Sequence, residues 1–565
     1  MQEPIASEEN TVNPKANKDG LRIFVLLWII VFALYLPVAK GGWVNDTVDW
    51  LKRIREEKFW SYINIMQTLV PSLYQFTQFT TYVFYKIFHA NPWAWHLLFI
   101  TLHAANGTLI FIISRKIFKE SNVKNAAQIS LGAVLLFCIC PHISEVIVWK
   151  ACFHYLQGML MMLGVLYWLQ KFYSRPQIKY AVYSGITFFL STFSLELFYL
   201  TPLFALTLSV YYYSVLGYNR AIFRKTLLYF ILPIFTFFLL HFVLLRSITG
   251  FFIAHIGDDL FQPAVNYLRK APIYLFHVLF MGRFFPDKIR QDVYDFFVTV
   301  KGLSLFYGLL VCVWTYVIAR FGKIEKSFKP MALIGLWLMM CLAILSPVWI
   351  DPIQFVRDDR YAYYLLPLIY LIAVFFLAKV KSNAIAITAF GVYAAVNIWG
   401  TVKVNQYWRH SSQIVYKLTH SFPETGNKTV LMLNVPANMN GVLMIGSLPQ
   451  SAFKTIYNEN NEHKIEAPVY DVLSYNMSTP GDGAYVTMYN DSLLHVTLNQ
   501  WGTWWWYGRL GARSYENKDY KVNLIDPGHW YELILKHPAD QYMLFYQVGD
   551  EWKMVDRNKL NIDQH

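Results

Sequence analysis

About eleven stretches of this chain are apolar over enough residues to cross a lipid bilayer, and that fact limits the fold more than any other. Lipid offers no hydrogen-bond partner to an open backbone, so a chain crossing it does so as helices or as a closed barrel. The stretches centre on 21–39, 93–113, 126–140, 154–171, 178–194, 196–215, 226–245, 295–319, 331–349, 361–379 and 384–402. They are continuous apolar runs, which is the pattern of helices. The composition agrees, at 56 % hydrophobic and 15 % charged residues. Soluble domains carry about 25 % charged residues, and disordered chains are far less apolar.

The basic residues give the orientation. With the N-terminus cytoplasmic, short inner loops hold Lys15, Lys18 and Arg22, then Arg115, Lys116, Lys119 and Lys124, then Lys171, Arg175 and Lys179. Arg220, Arg224 and Lys225 follow, then Lys323, Lys326 and Lys329, then Lys379 and Lys381. Lys and Arg accumulate in cytoplasmic loops of membrane proteins. The net charge of +13 is therefore spread over small loops, which argues against nucleic acid as a partner. An odd number of spans leaves the C-terminus outside. Residues 1–20 read as a disordered cytoplasmic segment, 21–402 as the transmembrane domain, and 403–565 as an extracytoplasmic domain. The first span has no small-x-small site after it and reads as an uncleaved anchor.

The tail has the signature of a β-rich or α/β domain. Turn signals occur at Pro480-Gly-Asp-Gly483 and Asp526-Pro-Gly528, and alternating runs at 428–434 and 541–547. The five cysteines lie in or beside apolar runs and form no metal or disulfide pattern. The chain has no Gly-rich nucleotide loop, no zinc-protease signature and no tandem repeat.

Ionisable residues near membrane depth are costly and therefore candidates for function. Asp46, with Asp49 beside it, sits past the first span in Trp43-Val-Asn-Asp-Thr-Val-Asp49. Such a carboxylate can take a proton from an attacking hydroxyl, and it can equally cap a helix over 47–58. In Pro141-His-Ile-Ser-Glu-Val-Ile-Val-Trp149, helical spacing puts His142, Glu145 and Trp149 on one face, with His154 beyond. These residues suit contacts to substrate hydroxyls. A divalent metal is the lesser reading, since two spaced ligands do not make a site, and none is assigned. Glu196 lies at an outer turn. Arg246, Arg283 and Arg360 fall on the outer side, where few basic residues are expected, and guanidinium groups suit phosphate oxygens. Arg360 could instead pair locally with Asp358 or Asp359. His103 and Asn106 share a face within the second span and read as helix-to-helix contacts. The aromatic run 501–507 suits sugar stacking, domain core or membrane anchoring.

Several of these pieces, taken in order, resemble a family. They are Leu102-His-Ala-Ala-Asn106, Pro141 to Trp149, Ser194-Leu-Glu196, Arg283-Phe-Phe-Pro286 and Asp359-Arg-Tyr-Ala-Tyr363. With the acidic first outer loop, basic inner loops and outer C-terminal domain, they are similar to the GT-C glycosyltransferases of the protein O-mannosyltransferase and aminoarabinose-transferase branch. The resemblance implies a GT-C-like helical bundle that takes a sugar from a polyprenyl-phosphate donor on the outer leaflet by inverting displacement. It implies Asp46 as general base, and Arg246, Arg283 and Arg360 on the lipid phosphate. It places His142, Glu145, His154, Glu196 and Asp359 around the sugar or acceptor. The family usually has two adjacent acidic residues; here Thr47 follows Asp46, with Asp49 two further on. The expected partners are membrane lipid, the polyprenyl-phosphate sugar and a protein or glycan acceptor, with no cofactor beyond the donor. The expected location is a bacterial inner membrane. A lipid-linked-saccharide transporter, a glycan polymerase or ligase, and a non-catalytic binding protein are the other readings. Internal symmetry, expected of many transporters, is not visible.

Overall fold

The computed structural model describes residues 14–556, except 42, 45–46, 64–73, 195–198, 251–260, 322–327, 344–353, 423–426, 446–466, 499–504, 507–508, 511–513 and 527–529. Every apolar stretch named above falls on helix over its described part. Five helical stretches are long and apolar enough to cross a membrane: Asp19–Val38, Pro92–Glu120, Lys150–Ser174, Arg220–Ile248 and Asn383–His420. Two bent pairs raise the number to seven if each is one span. The remaining helices, such as Ile178–Ser191 and Thr201–Ser214, are apolar but shorter, with 14 residues each. The chain thus has five to seven spans by length and composition among the described residues.

The bent pairs occur where the sequence interrupts the helix. Ala126–Cys138 turns by 59° into Pro141–Val148. Pro141 has no amide hydrogen to continue the ladder, and a 3-10 turn, Pro141–Ile143, replaces the last helical turn. His142, Glu145 and Trp149 are therefore not successive positions on one α-helix. The helix Ser144–Val148 follows the turn, and Trp149 is its C-cap.

Small residues set how closely helices pack. A Cβ on Gly107 would lie 3.0 Å from Leu27 and 3.2 Å from Val134, so this position lets three helices meet. Gly400 does the same for the last helix: a Cβ there would lie 3.0 Å from Phe284 and 3.1 Å from Pro141. That helix, Asn383–His420, is 38 residues long and passes through residue 403 without a break. It carries the chain from the bundle into the strand-rich region as one rigid piece.

The region from Thr429 is β-rich and mixed. One sheet orders the strands Glu551–Met554, Tyr542–Val548, Thr429–Met432 and Val469–Asp471. Thr429 faces Tyr542 in parallel register. A second sheet orders Ser514–Glu516, Tyr520–Asp526, Trp530–Leu535, Leu493–Leu498 and Ala484–Met488, all antiparallel. A third runs Val442–Leu443, Val435–Met439, Leu473–Met477, Trp505–Trp506 and Arg509–Leu510. Both alternating runs foreseen in the sequence are strands, and Pro480–Gly483 is the turn before Ala484–Met488. Asp482 closes it by accepting the amides of Ser478 at 2.6 Å and Thr479 at 3.0 Å. Of the aromatic run, only Trp505–Trp506 is described, as a strand.

Candidate functional site

Three short irregular segments meet at one end of the bundle. The first is 141–152, built of two 3-10 turns around the helix Ser144–Val148. The second is the 3-10 stretch Gln354–Tyr364. The third is Gly282–Phe284, preceded by Met281 at φ 56°, a left-handed conformation rare for a long side chain. Gly282 is needed where it stands, because a Cβ would lie 3.1 Å from the backbone and ring of His277.

Asp359 is the hub. It is 1 % exposed. One carboxylate oxygen accepts from His142 Nδ1 at 2.9 Å and from His277 Nε2 at 2.7 Å. The other accepts from Arg283 Nη1. Burial acts to raise the Asp359 pKa, but Arg283 and the two histidines together outweigh it and hold the carboxyl below its usual range. Because Asp359 is ionised and accepts, the hydrogen-bonded nitrogen of each imidazole is the protonated one. His142 Nε2 is buried and has no hydrogen-bond partner among the described residues.

Glu145 forms the second centre. Its Oε1 accepts from Arg360 Nη1 at 2.7 Å, and its Oε2 accepts from the Arg360 backbone amide at 2.9 Å. The guanidinium lies 5.6 Å from the Trp149 ring centre and 4.7 Å from that of Tyr361. The local pairing open to Arg360 in the sequence is not made with Asp359, which bonds Arg283 instead. The two adjacent residues 359 and 360 thus take partners from different segments and lock all three together.

His277 is one residue the sequence reading missed, and Lys150 is another. It is 2 % exposed, and among the described residues it makes no hydrogen bond or ion pair. Its ammonium stands 5.2 Å from the centre of the Phe99 ring. Beside it His96 is fully buried. The signal was in the sequence, as a lysine directly after Trp149 on the outer side. Among the described residues at this end, the carboxylates Asp359 and Glu145 pair with Arg283 and Arg360, and Lys150 has no carboxylate partner.

The other expected residues divide. The His154 ring lies beside that of Tyr155, tilted by 46° at 4.6 Å between ring centres, and Tyr155 contacts Tyr361, so it borders the Glu145–Arg360 pair. Arg246 is exposed at its helix end and donates to the Gly250 carbonyl. Asp46 and Glu196 lie outside the described residues. Asp49 is on the helix Thr47–Glu56, and its side chain is likewise outside them. The chain on either side of Asp46 is tied down: Val44 accepts from Trp149 Nε1 at 3.3 Å and from Thr47 Oγ1 at 2.5 Å. His103 and Asn106 make the interhelical contacts expected of them, to Tyr363 at 2.9 and 3.1 Å and from Asn106 to the Leu156 carbonyl at 3.0 Å.

His142, His277 and Asp359 each offer one ligand atom, all within 4.8 Å of one another, and are the residues that could hold a metal ion. Arg283 would then support the ligand carboxylate from its outer oxygen.

An apolar groove of about 210 Å³ lies elsewhere along the bundle. Ala271, Leu275, Tyr307, Leu338 and Ile372 are among its walls. Leu275 lies two residues before His277 on one helix, and Ile372 follows Arg360 on the next helix after it.

No protein-family profile matches the chain. No curated protein matches it either. Among solved structures, it is similar to ArnT from Cupriavidus metallidurans. In the apo state the identity is 14 %, the coverage 81 % of this chain and 86 % of that one, and the TM-score 0.41. For the same protein bound to undecaprenyl phosphate the identity is 12 %, the coverage 80 % and 86 %, and the TM-score 0.42.

Proposed function

We propose that this chain is an integral membrane glycosyltransferase that moves a sugar from a polyprenyl-phosphate donor to a hydroxyl of a protein or glycan acceptor on the extracytoplasmic side. The observation that carries the reading is Lys150, a buried lysine without an anionic partner among the described residues, on the same 141–152 segment as Glu145, the partner of Arg360. A lone buried charge is costly unless a ligand compensates it. An anionic head group supplies that charge, and the apolar groove that shares a helix with His277 suits a long hydrocarbon tail.

In this reading the acceptor O–H attacks the anomeric carbon as the bond from that carbon to the phosphate oxygen breaks. The proton passes to Asp46, and the electron pair leaves on polyprenyl phosphate. Lys150 stabilises the charge gathering on the phosphate oxygens. Arg360 and Arg283, fixed by Glu145 and Asp359, supply further positive potential and shape. Glu145, Glu196, His142, His154 and Asp359 surround the sugar and acceptor, directly or by holding their neighbours. The bond from Trp149 to the carbonyl of Val44, two residues before Asp46 in the chain, supports that role. The N-terminus is cytoplasmic, residues 403–565 lie outside, and the membrane is the bacterial inner one.

The test is sugar release from labelled polyprenyl-phosphate donors by the full-length protein in lipid nanodiscs. Asp46→Asn is expected to lower turnover by about 10²–10⁴, the usual contribution of a general base, with lipid binding retained. Lys150→Met is expected to weaken polyprenyl phosphate binding by about 10- to 100-fold, the worth of one hydrogen bond to a charged group. Full binding and turnover in both variants would refute the assignment.

A further inference from the structure

The geometry points to the C-terminal domain as a working part of the site: the tip of its Val435–Met439/Val442–Leu443 hairpin positions Arg283. The Asn440 carbonyl accepts from Arg283 Nη2 at 3.3 Å, while Nη1 of the same guanidinium serves Asp359. Arg283 therefore spans two bodies, the bundle cluster through one nitrogen and the outer domain through the other. A guanidinium can do this because its donors form a fixed planar fork.

The tip is built to stay put. Asn440 and Gly441 both have positive φ, at 48° and 81°. Asn is one of the few residues besides Gly that takes this conformation readily. Four bonds hold it. The Asn440 amide donates to Met477 O at 3.1 Å and its side chain to Ser478 O at 2.8 Å. Gly441 N donates to Asn438 Oδ1 at 3.1 Å, and Asn438 bonds Asn476. The domain is fixed in turn to the long helix: Trp552 donates to Leu418 O at 2.8 Å and Lys417 pairs with Asp550. That same helix seats Phe284 and Pro141 on Gly400. Hairpin and helix thus grip the 281–284 turn from two sides. The turn itself is strained at Met281 and cannot be expected to hold Arg283 alone.

The hold is read from geometry; its effect on donor binding rests on the proposed function. Two readouts separate them. In the full-length protein, Asn440→Ile places a β-branched residue at positive φ, whereas Asn440→Gly keeps the conformation and loses only the Ser478 bond. The amides of Phe284 and Phe285, bonded to Met281 O and Gly282 O, report opening of the turn. Their hydrogen exchange is expected to rise at least about fivefold in Asn440→Ile and to stay near wild type in Asn440→Gly. The dissociation constant for polyprenyl phosphate is expected to rise about tenfold in Asn440→Ile, and to add nothing further on an Arg283→Gln background. Asn440→Ala gives a graded version should the isoleucine variant misfold. Unchanged exchange at Phe284 and Phe285 overturns the inference. So does faster exchange with unchanged lipid affinity when Arg283→Gln alone weakens it. If Arg283→Gln leaves lipid affinity intact, the phosphate role of Arg283 fails, and a rise in exchange still establishes the hold.

Discussion

Asp359 and Asp471 are both buried carboxylates, and they behave oppositely because of what surrounds them. Asp359 has a guanidinium and two imidazoles on its oxygens. Removing it leaves Arg283 buried and unpaired, so Asp359→Leu is expected to cost about 3–5 kcal/mol, read as a loss of thermal stability. The double variant Asp359→Leu/Arg283→Met is expected to recover part of that, since both charges then leave together. Asp471, on the strand Val469–Asp471, is 2 % exposed, and one of its oxygens has no partner. Burial pushes its pKa up to about 8. A raised carboxyl binds a proton in the folded state that the unfolded chain has already lost. Its cost is therefore absent at pH below the ordinary carboxylate range, grows as pH rises and is complete above about 8. The C-terminal strand-rich region is expected to melt at lower temperature at pH 9 than at pH 6. Asp471→Asn should flatten that dependence, and calorimetry of the full-length protein at the two pH values checks it.

At the scale of elements, the site depends on breaks rather than on regular structure. Pro141 ends one helix so that His142 and Glu145 can face different partners. Gly282 and Gly400 allow approaches that a Cβ would block. Gly400→Val is expected to push the long helix off Phe284 and Pro141, at about 1–3 kcal/mol for an overpacked contact. Polyprenyl phosphate affinity should fall with it, because both neighbours belong to segments of the site. A variant with full affinity and stability would show that the close approach is incidental. Met281→Gly relieves a left-handed backbone but empties the space of a buried side chain, so its melting temperature is expected to fall.

For the whole molecule, the apolar runs, the short basic loops and the turn chemistry of the tail were legible in the residues because each is a local pattern. Runs of about 20 apolar residues must be helical in lipid, and Pro-Gly-Asp-Gly must turn. That His103 and Asn106 join helices was legible for the same reason. The lengths of individual spans were less so, since several apolar stretches are bent or too short to cross alone. Lys150 escaped because a lone lysine reads as an exposed interfacial residue, and only packing against Phe99 and His96 makes it a buried charge. The pairing of adjacent residues also escaped. Nothing in Asp359-Arg360 says that one side chain will meet His142, His277 and Arg283 while the other meets Glu145. Sequence by itself picked out several of the residues that carry charge at this end of the bundle, Glu145, Arg283, Asp359 and Arg360 among them, because the bilayer's cost for charge leaves few such positions. The tertiary structure alone decided which charges cancel and which is left over. That balance depends on ion pairs between residues as far apart as 145 and 360, and a contact of that range is fixed by packing and not by any local pattern.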